Sequence, residues 1–509
     1  MAPESSKYFT LERLAEWIAD QKAQGKKVVH CHGCFDLLHI GHIRHFKRAR
    51  ELGDVLVVTV TPDRYVNKGP DRPAFPEALR LEAIAALDIV DAVALNRWPT
   101  AVETIHLLKP DLYVKGAEYR DASKDATGAI QLEIDAITAV GGSIAFTDDI
   151  VFSSSNLINR FASGYSQEVK DFLSAFAKRH PADEIKQYFQ EAAGRSVLLV
   201  GEAIIDDYEF CEAIGKSSKE PTLAVKSLYT KRFAGGILAA ANHVASFCDH
   251  VGLLTQVGDR DDYMDFIREH VKPTIDAHYL VRRNSPTIVK KRLIEHYFFM
   301  KMLEVYQIND AALEPEDDAA VCEALENLIP QYDIVIVIDF GHSMISPRAV
   351  EVLAKRAKFL CVNTQANAGN LGFNVISKYP RADFISLAEK EIRLESRDLR
   401  GEIEPMMQAL AQKLDCPLIT VTRGSRGSII LDRKSGFHIV PALAQKVVDR
   451  VGAGDASLSV SSLLAAVGAP AEVVAFAGNV AGAWAVSVVG NEKSIDRVGL
   501  IKQMETLLK

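Results

Sequence analysis

Two histidines near the amino terminus have a spacing that suits phosphate chemistry. They lie in the segment Gly33-Cys34-Phe35-Asp36-Leu37-Leu38-His39-Ile40-Gly41-His42, after a short apolar run. Histidines at this spacing in the first turn of a helix project to one face, beside an N-terminus that favours anions. Two imidazoles there can hold phosphate oxygens and stabilise charge on a phosphorus atom under attack. A metal pair or two surface histidines would explain His39 and His42 alone, but the preceding Gly-x-Phe-Asp makes the phosphate interpretation far more specific.

A second phosphate-handling pattern, Gly452-Ala453-Gly454-Asp455, lies near the carboxyl end and leads into a helix of small residues. Backbone N–H groups at the start of that helix can form an anion hole for a transferring phosphoryl group. Asp455 can accept the proton of an attacking hydroxyl. The pattern gains specificity from a glycine turn, 422–427, that precedes it in the chain.

Composition limits the classes of protein to consider. A chain of 509 residues is too long for one ordinary core, so we expect two or three domains. The formal net charge of -8 argues against a duplex nucleic-acid binder, and the sequence has no apolar run of membrane-spanning length. Seven scattered cysteines favour a reducing compartment over a disulfide framework. The sequence therefore predicts a cytoplasmic protein with neither nucleic acid nor membrane as a partner.

Cys31 and Cys34, flanked by His30 and His32, raise the alternative of a zinc or redox site. No second ligand pair with suitable spacing follows nearby, and the segment continues an apolar strand. We therefore expect these residues to pack in the core, and we predict no protein-bound metal site.

The elements around the histidines predict an α/β domain over residues 1–160. Apolar periodicity predicts a helix over 7–24, and the strand 27–31, helix 41–52 and strand 55–61 form a βαβ unit. Such a unit crosses over right-handed in a parallel sheet. Further strands are expected at 92–95, 112–115 and 143–146. Ligands of these sheets bind where the strands end, which is where the histidines fall.

A second α/β domain is predicted over residues 196–509, after a helical linker at 161–195 suited to domain packing or dimerisation. Asp206 follows its first strand and could bond sugar hydroxyls or serve as a turn carboxylate. Gly235-Gly236, before an alanine-rich helix, allows a ligand to approach closely. Both domains are expected to be doubly wound, and the strands predicted for the second are 196–201, 334–340, 359–362, 384–386, 418–422 and 428–432.

Residues 27–160 resemble the nucleotidyltransferase family with the HIGH signature, in its cytidylyltransferase-like branch. The resemblance rests on 33–42, 68–73, Arg80, 114–119 and 153–156, and points to bifunctional ADP-heptose synthesis proteins. It implies that His39 and His42 contact a nucleoside triphosphate and the transition state, with Mg²⁺ as cofactor. It implies that the cations around the phosphates are Lys68, Arg72 and Arg80. The other residues that it assigns to the nucleotide site are Gly33, Phe35, Asp36, Gly41, Lys115, Ser154 and Ser155.

Most of residues 196–500 resembles the ribokinase-like sugar kinase family, on the motif ending at Asp455 and the glycine turn before it. The resemblance implies that Asp455 is the catalytic base, with Gly452, Ala453 and Gly454 as the anion hole. The residues that it places against ATP are Thr422, Gly424, Gly427, Glu389 and Asn479. Those that it places against the sugar are Asp206, Gly235 and Gly236.

Several positions depart from the heptose-kinase pattern. Ala239 stands where the family usually has an asparagine, three residues after the double glycine. Ser386 replaces the asparagine that usually precedes the nucleotide-side glutamate, and His342 replaces a lysine. The segment 363–367 also stands where the family usually has an Asp-Pro-Lys-like segment. These departures leave Asp455 intact and concern the identity of the sugar. A cluster of cationic residues could hold a substrate phosphate, although such a cluster is more often the solvated edge of a strand. Its members are Arg282, Arg283, Lys290, Lys291 and Arg292.

Together the resemblances imply a bifunctional enzyme with the two domains in reversed order. The kinase would phosphorylate a sugar or sugar phosphate with ATP, heptose 7-phosphate at O1 by resemblance. The other domain would transfer a nucleotidyl group from ATP or CTP to a sugar 1-phosphate, giving ADP-heptose and pyrophosphate. The family also implies a homodimer or larger homo-oligomer. Two alternatives stay open: a CDP-polyol-forming cytidylyltransferase fused to a polyol kinase, and an inactive sugar-phosphate sensor, against which the intact Asp455 argues.

Overall fold

The computed structural model describes residues 7–66, 72–120, 129–147, 164–260 and 263–509. The chain divides into two units, Met1–Gly164 with Ile501–Lys509, and Tyr165–Leu500. Each unit is built on a sheet of mainly parallel strands, which confirms the predicted α/β class for both domains. None of the helices in the described ranges has the length and apolar character that crossing a membrane requires.

The strands of the first unit pair in parallel throughout. They are β1 (Tyr8–Phe9), β2 (Val28–Gly33), β3 (Val55–Val60), β4 (Ala92–Leu95), β5 (Leu112–Gly116) and β6 (Ser143–Thr147), in the order β1-β4-β3-β2-β5-β6. All of β3 is buried, as expected for a strand covered on both faces. The chain leaves β2 in one direction for β3 and returns on the other side for β5, so the ends of β2 and β5 mark the switch point where ligands bind.

The helices of the first unit begin where local signals allow. They are α1 (Leu11–Ala23), α2 (Ile40–Glu51), α3 (Glu77–Ala85), α4 (Val102–Leu108) and α5 (Ala129–Ala139). The expected helix over 7–24 starts later, because residues 8–9 form β1 and Thr10 caps α1 by accepting a hydrogen bond from the Arg13 N–H.

The second unit contains a large sheet and a small one. Its strands are β7 (Ser196–Gly201), β8 (Ala203–Lys216), β9 (Leu223–Gly236), β10 (His250–Gly258), β11 (Ile275–Arg282), β12 (Ile288–Glu295), β13 (Met300–Gln307), β14 (Ile334–Asp339), β15 (Phe359–Thr364), β16 (Phe384–Ala388), β17 (Leu418–Thr422), β18 (Ser428–Asp432) and β19 (Gly436–Val440). The large sheet has the order β11-β10-β7-β14-β15-β16-β17-β18-β19, and only the pairs that include β18 are antiparallel. The small sheet has the order β13-β12-β8-β9.

The sequence did not predict the small sheet as a unit. Most of β9 is exposed, so its sequence lacks the apolar alternation that identifies a half-buried strand. Most strands of the large sheet, in contrast, were predicted because their sequences contain apolar runs. An example is β14, all of whose residues are buried.

The remaining helices cover the second unit or follow it. They are α6 (Gln167–Arg179), α7 (Ala182–Ala193), α8 (Ile237–Val244), α9 (Met264–His270), α10 (Pro315–Leu328), α11 (Pro347–Arg356), α12 (Glu389–Ser396), α13 (Ile403–Lys413), α14 (Ala453–Ala466), α15 (Ala471–Ala485) and α16 (Arg497–Leu507). The segment expected to be a linker forms α6 and α7, which pack within the second unit. The rings of Phe176 and Phe476 are 4.4 Å apart, and Arg179 forms an ion pair with Glu472.

Candidate active sites

In the second unit, the carboxyl ends of β15, β16 and β17 border a cavity of about 310 Å³, which we call the acceptor cavity. Open α/β sheets bind their ligands at this edge. Residues from these strand ends, from the start of α14 and from the small sheet line it, among them Asp206, Gly236, Lys290, Asn363, Gln365, Ser386, Thr422, Gly452, Gly454 and Asp455. Residues assigned separately to sugar, phosphate and nucleotide thus share one cavity.

The glycines before Asp455 shape the start of α14. Gly452 is the N-cap with a φ of +80°, and a Cβ there would lie 2.4 Å from the Asn491 side-chain oxygen, so this position requires glycine. A Cβ on Gly454 would meet nothing within 4 Å. The backbone N–H groups of this first turn have no partner within the helix, so they can receive phosphate oxygens from the open space beside Gly454.

Asp455 has the properties of a proton acceptor. It is only 8% exposed, and its Oδ1 accepts a 2.6 Å hydrogen bond from the Gln365 amide. Burial raises the pKa of Asp455 to about 7; the Gln365 hydrogen bond opposes this rise and the charge of Asp206 adds to it. A carboxylate with a pKa near neutral can take a proton from a hydroxyl and later release it. Gln365 lies in the segment noted only as a departure from the family pattern, so its role was not predicted.

Asp206 and the double glycine meet on the small sheet. Asp206 lies within β8, where it forms an ion pair with Arg292 of β12, so the alternative of a turn carboxylate is wrong. A Cβ on Gly235 would lie 2.1 Å from Asp206 Oδ2. Gly236 has a φ of +54° at the point where β9 turns into α8. The two glycines therefore allow a buried carboxylate to lie against the backbone.

Three residues of the cationic cluster, 290–292, lie in β12. They are not at the edge of a sheet, because β12 pairs with β13 on one side and with β8 on the other. Arg282 donates to backbone carbonyls, Arg283 and Lys291 pair with carboxylates, and Arg292 pairs with two carboxylates. Lys290 differs: it is 8% exposed, lines the acceptor cavity and lies over the rings of two aromatic residues. Burial lowers the pKa of Lys290, and the charge of Asp206 opposes that change.

Some of the residues assigned to ATP lie at the acceptor cavity or in the glycine turn beside it, whereas others are bonded to protein groups. Thr422 lines the acceptor cavity, and Gly427, with a φ of +79°, lies where a Cβ would be 2.0 Å from the Val440 carbonyl. Gly424 has a φ of +59° in the same turn. The side-chain amide of Asn479 donates hydrogen bonds to the carbonyls of Val440 and Pro441, so it holds the end of β19.

Glu389 pairs with Arg393 and Arg426 at the start of α12. The carboxylate from this helix that lines the acceptor cavity is Glu391, which sequence reasoning missed. Burial raises the pKa of Glu391 to about 7, against two backbone hydrogen bonds that lower it. Glu391 is therefore better placed than Glu389 to meet a ligand in this cavity.

Asp449, three residues before Gly452 in the loop that precedes α14, organises that loop. Its side chain is 1% exposed and accepts hydrogen bonds from Tyr208 at 2.7 Å and Lys301 at 2.6 Å, both on the small sheet. The backbone N–H groups of Val451 and Gly490 complete its bonding. The small sheet is thereby tied to the loop that carries the anion-hole glycines, a link that the sequence pattern did not indicate.

In the first unit, the structure brings the predicted histidine pair together at the start of α2. His39 is the N-cap, and its Nδ1 accepts a 3.0 Å hydrogen bond from the Gly41 N–H. The rings of His39 and His42 stack with centroids 3.9 Å apart, and Phe35 packs edge-on against His42. Gly33 ends β2, so the pair lies at the switch point of the sheet.

Asp36 serves the loop that follows β3. Its buried carboxylate accepts hydrogen bonds from the backbone N–H groups of Ala74 and Phe75 and forms an ion pair with Arg72 at 3.1 Å. Asp36 thus holds Arg72 beside the histidine segment.

Arg80 corrects one expectation. It was assigned to the cations around the phosphates, but its side chain is fully buried in α3. Its guanidinium donates to the carbonyls of Cys34, Thr61 and Phe75 and pairs with Asp63 at 2.5 Å. With its donors directed at protein oxygens, Arg80 holds the loops after β2 and β3 and does not present its charge to a ligand.

Lys115, near the end of β5, is largely buried and pairs with Glu133 at 2.9 Å, with Tyr119 under its ammonium. Its charge is therefore already matched within the protein. Lys68, Ser154 and Ser155, which were also assigned to this site, lie outside the described residues.

The first part of the CxxC segment packs as expected of a core strand, whereas Cys34 follows β2 and is only partly buried. His30 and His32 each bond the hydroxyl of Thr59 at 2.8 Å, and burial raises the pKa of the Cys31 thiol. Within the described ranges, no group of three or more histidine, cysteine or acidic side chains is arranged to hold a metal ion.

Family models match both parts of the chain. Residues 195–497 match the pfkB family carbohydrate kinase model, and residues 30–160 match the cytidylyltransferase-like model. These matches confirm the predicted pair of families, with the cytidylyltransferase-like part first in the chain.

Curated relatives and solved structures agree with the family models. Bifunctional protein HldE of Citrifermentans bemidjiense is 40% identical over 165 residues, 31% of this chain and 32% of that protein. Bifunctional protein HldE of Nitratiruptor sp. is 41% identical over 126 residues, 24% of this chain and 27% of that protein. The chain thus spans about a third or less of the length of these relatives. A mutant phosphofructokinase-2 from Escherichia coli shares the fold, with a TM-score of 0.50 at 13% identity over 62% of this chain and 100% of that one.

Proposed function

Because the chain belongs to the pfkB family of carbohydrate kinases, we propose that its second unit phosphorylates a hydroxyl of a sugar or sugar phosphate with ATP. The observation that carries this proposal is Asp455, a buried carboxylate with a pKa raised to about 7, at the N-terminus of α14 and inside the acceptor cavity. This is the arrangement that phosphoryl transfer to an alcohol requires of a protein: a base, an anion hole and a cation.

In the proposed reaction, the acceptor hydroxyl gives its proton to Asp455 while its oxygen attacks the γ-phosphorus, and ADP leaves. Gln365 orients the carboxylate through the 2.6 Å hydrogen bond. The N–H groups after Gly452 and the ammonium of Lys290 stabilise the negative charge of the transferring group. Mg²⁺, when bound, would neutralise the nucleotide phosphates, and Glu391, a carboxylate in the lining of the acceptor cavity, would help to hold it.

The first unit is proposed to transfer a nucleotidyl group to a sugar 1-phosphate. An oxygen of that phosphate attacks the α-phosphorus of ATP or CTP, and pyrophosphate leaves. The stacked imidazoles of His39 and His42 stabilise the charge that develops, and Arg72, oriented by Asp36, adds a cation. The cytidylyltransferase-like match over residues 30–160 supports this role.

The two reactions together fit the activation of a heptose. The kinase would convert heptose 7-phosphate into the 1,7-bisphosphate, a separate phosphatase would remove the 7-phosphate, and the first unit would form ADP-heptose. The likeness to bifunctional proteins HldE over part of their length supports this substrate. The alternative of a CDP-polyol product stands beside it, because Ala239 lines a cavity without offering an amide and so does not identify the acceptor as a heptose.

Two further properties belong to the same proposal. The seven cysteines lie within the described residues and form no disulfide with one another, which supports a reducing cytoplasmic location. A homo-oligomeric state and small-molecule substrates are expected from the kinase family.

The kinase proposal is tested with the purified full chain, ATP and D-glycero-D-manno-heptose 7-phosphate, with detection of the bisphosphate by mass spectrometry. We expect Asp455→Asn to lower kcat by about 10²–10⁴-fold, because it removes the general base. The control Asp265→Asn changes an exposed aspartate and should leave kcat unchanged. A fully active Asp455→Asn variant would contradict the assignment.

The nucleotidyl transfer is tested by pyrophosphate release from ATP and from CTP with heptose 1-phosphate or a polyol phosphate. Release from ATP with the heptose supports ADP-heptose formation. Release only from CTP with a polyol phosphate would replace it by the alternative. Double replacement of His39 and His42 by alanine should abolish release and leave the kinase reaction intact.

A further inference from the structure

A second cavity of the second unit, which we call the basic cavity, has a volume of about 470 Å³. Its lining includes four cationic side chains, Lys231, Arg232, Lys272 and Lys493, and one carboxylate, Glu492. A cavity of this size lies in the usual range for small-molecule sites. The excess of positive charge selects an anionic ligand.

Two of the four cations have weak partners in the protein. Lys231 lies 3.5 Å from Glu492 and Arg232 lies 3.5 Å from Asp207. Both cations are close to half exposed, and long ion pairs in that setting contribute little. A ligand with two negative charges can therefore compete for these side chains.

The third cation, Lys272, donates a 2.6 Å hydrogen bond to the hydroxyl of Ser246, a neutral group. Burial lowers the pKa of Lys272, and the charge of Asp496, a residue outside the cavity lining, opposes that change. Lys493 is exposed at the cavity. Burial lowers the pKa of His243 to about 4, so this neighbour adds no charge.

The basic cavity adjoins the acceptor cavity. Asn491 lines both, and β9 passes from Ala234 in the wall of the basic cavity to Gly236 in the wall of the acceptor cavity. Ala239, in the first turn of α8, also lines the basic cavity, and its methyl group occupies less space than the asparagine usual at this position. A sugar with a hydroxyl at Asp455 can therefore extend its other end into the basic cavity.

We propose that the basic cavity binds the distal phosphate of a sugar phosphate whose free hydroxyl is phosphorylated at Asp455, an inference that rests on the kinase function proposed above. A phosphate dianion matches the surplus of positive charge, and charge-assisted hydrogen bonds from several ammonium groups give it a strong preference over a neutral sugar. The cavity thus selects phosphorylated acceptors.

The test compares the wild-type full chain with the double variant Lys272→Gln/Lys493→Gln. Calorimetric titration with D-glycero-D-manno-heptose 7-phosphate, fructose 6-phosphate and tagatose 6-phosphate measures binding, and ADP release measures turnover. For any sugar phosphate that binds, we expect Kd and KM to rise about tenfold or more, with kcat and the KM for ATP nearly unchanged. The unphosphorylated sugars should be unaffected. Lys226→Gln, an exposed change on β9, is the control, and circular dichroism verifies folding.

The outcomes separate this inference from the kinase function. Equal Kd for both proteins, or no binding of any sugar phosphate to the wild type, would overturn the basic-cavity assignment, while turnover of a neutral sugar would leave the kinase function standing. Binding that the double variant weakens, without turnover of any acceptor, would support the cavity and refute the kinase function.

Discussion

The two units use buried charge in opposite ways. In the first unit, Arg80 and Asp36 are buried with their hydrogen bonds directed at loops of the same unit. In the second unit, Asp455 and Lys290 are comparably buried but line a cavity. A buried group whose bonds are satisfied by the protein is a scaffold, whereas one that faces a cavity is available to substrate and has a displaced pKa. Membership in a motif does not distinguish the two cases.

The largest effect that tests this difference is on stability. Arg80→Met should lower the free energy of unfolding by about 3–5 kcal/mol, because it leaves Asp63 and buried carbonyls without their donor. The matched control is Arg97→Met, which removes an exposed pair with Glu12 and should cost less than about 1 kcal/mol. Urea titration measures both. An Arg80→Met protein of normal stability but weakened triphosphate binding would restore Arg80 as a phosphate ligand.

The second test is the pH dependence of the kinase. Because Asp455 must be ionised to accept a proton and its pKa is raised to about 7, kcat/KM should fall roughly tenfold per pH unit below that value. The stability effect has the opposite sign: the unfolded carboxyl ionises near its ordinary value of 3.8, so this group destabilises the folded state as the pH rises between the two values. Asp455→Asn should therefore unfold at higher temperature than the wild type at pH 8.

A kinase rate that stays level from pH 5 to pH 8 would show that Asp455 is an ordinary surface-like carboxylate and remove the contrast between the units. The nucleotidyl transfer of the same samples is the internal control for damage by acid.

The smallest effect concerns Gln365. Its hydrogen bond lowers the pKa of Asp455, so Gln365→Ala should shift the kinase pH profile upward and reduce the rate at pH 7 by about two- to tenfold. The rate should recover at pH 9. Gln412→Ala, an exposed change on α13, is the control. An unshifted profile would mean that Gln365 does not tune the base.

Much of the fold followed from the sequence. Strands with a continuous buried centre, such as β7 and β17, were located to the residue, because a strand buried on both faces is mostly apolar along its length. The small sheet was missed because its stability comes from pairing between segments that are far apart in the chain, and most of β9 is exposed. β8 likewise gave no strand signal, although it carries Asp206.

The sequence by itself determined the two families and the residues that we propose lie nearest to the chemistry. His39, His42 and Asp455 lie in contiguous motifs at helix starts, and the local geometry there is set by neighbouring residues. Only the tertiary structure decided which charged side chains are paired with other groups of the protein and which line a cavity where a ligand can bind. Arg80, Lys290 and Gln365 each depend on partners brought from other strands and loops. Burial and pairing are properties of such long-range contacts, so no local pattern could show that Arg80 is bonded to loops of its own unit and that Lys290 of the small sheet lines the acceptor cavity.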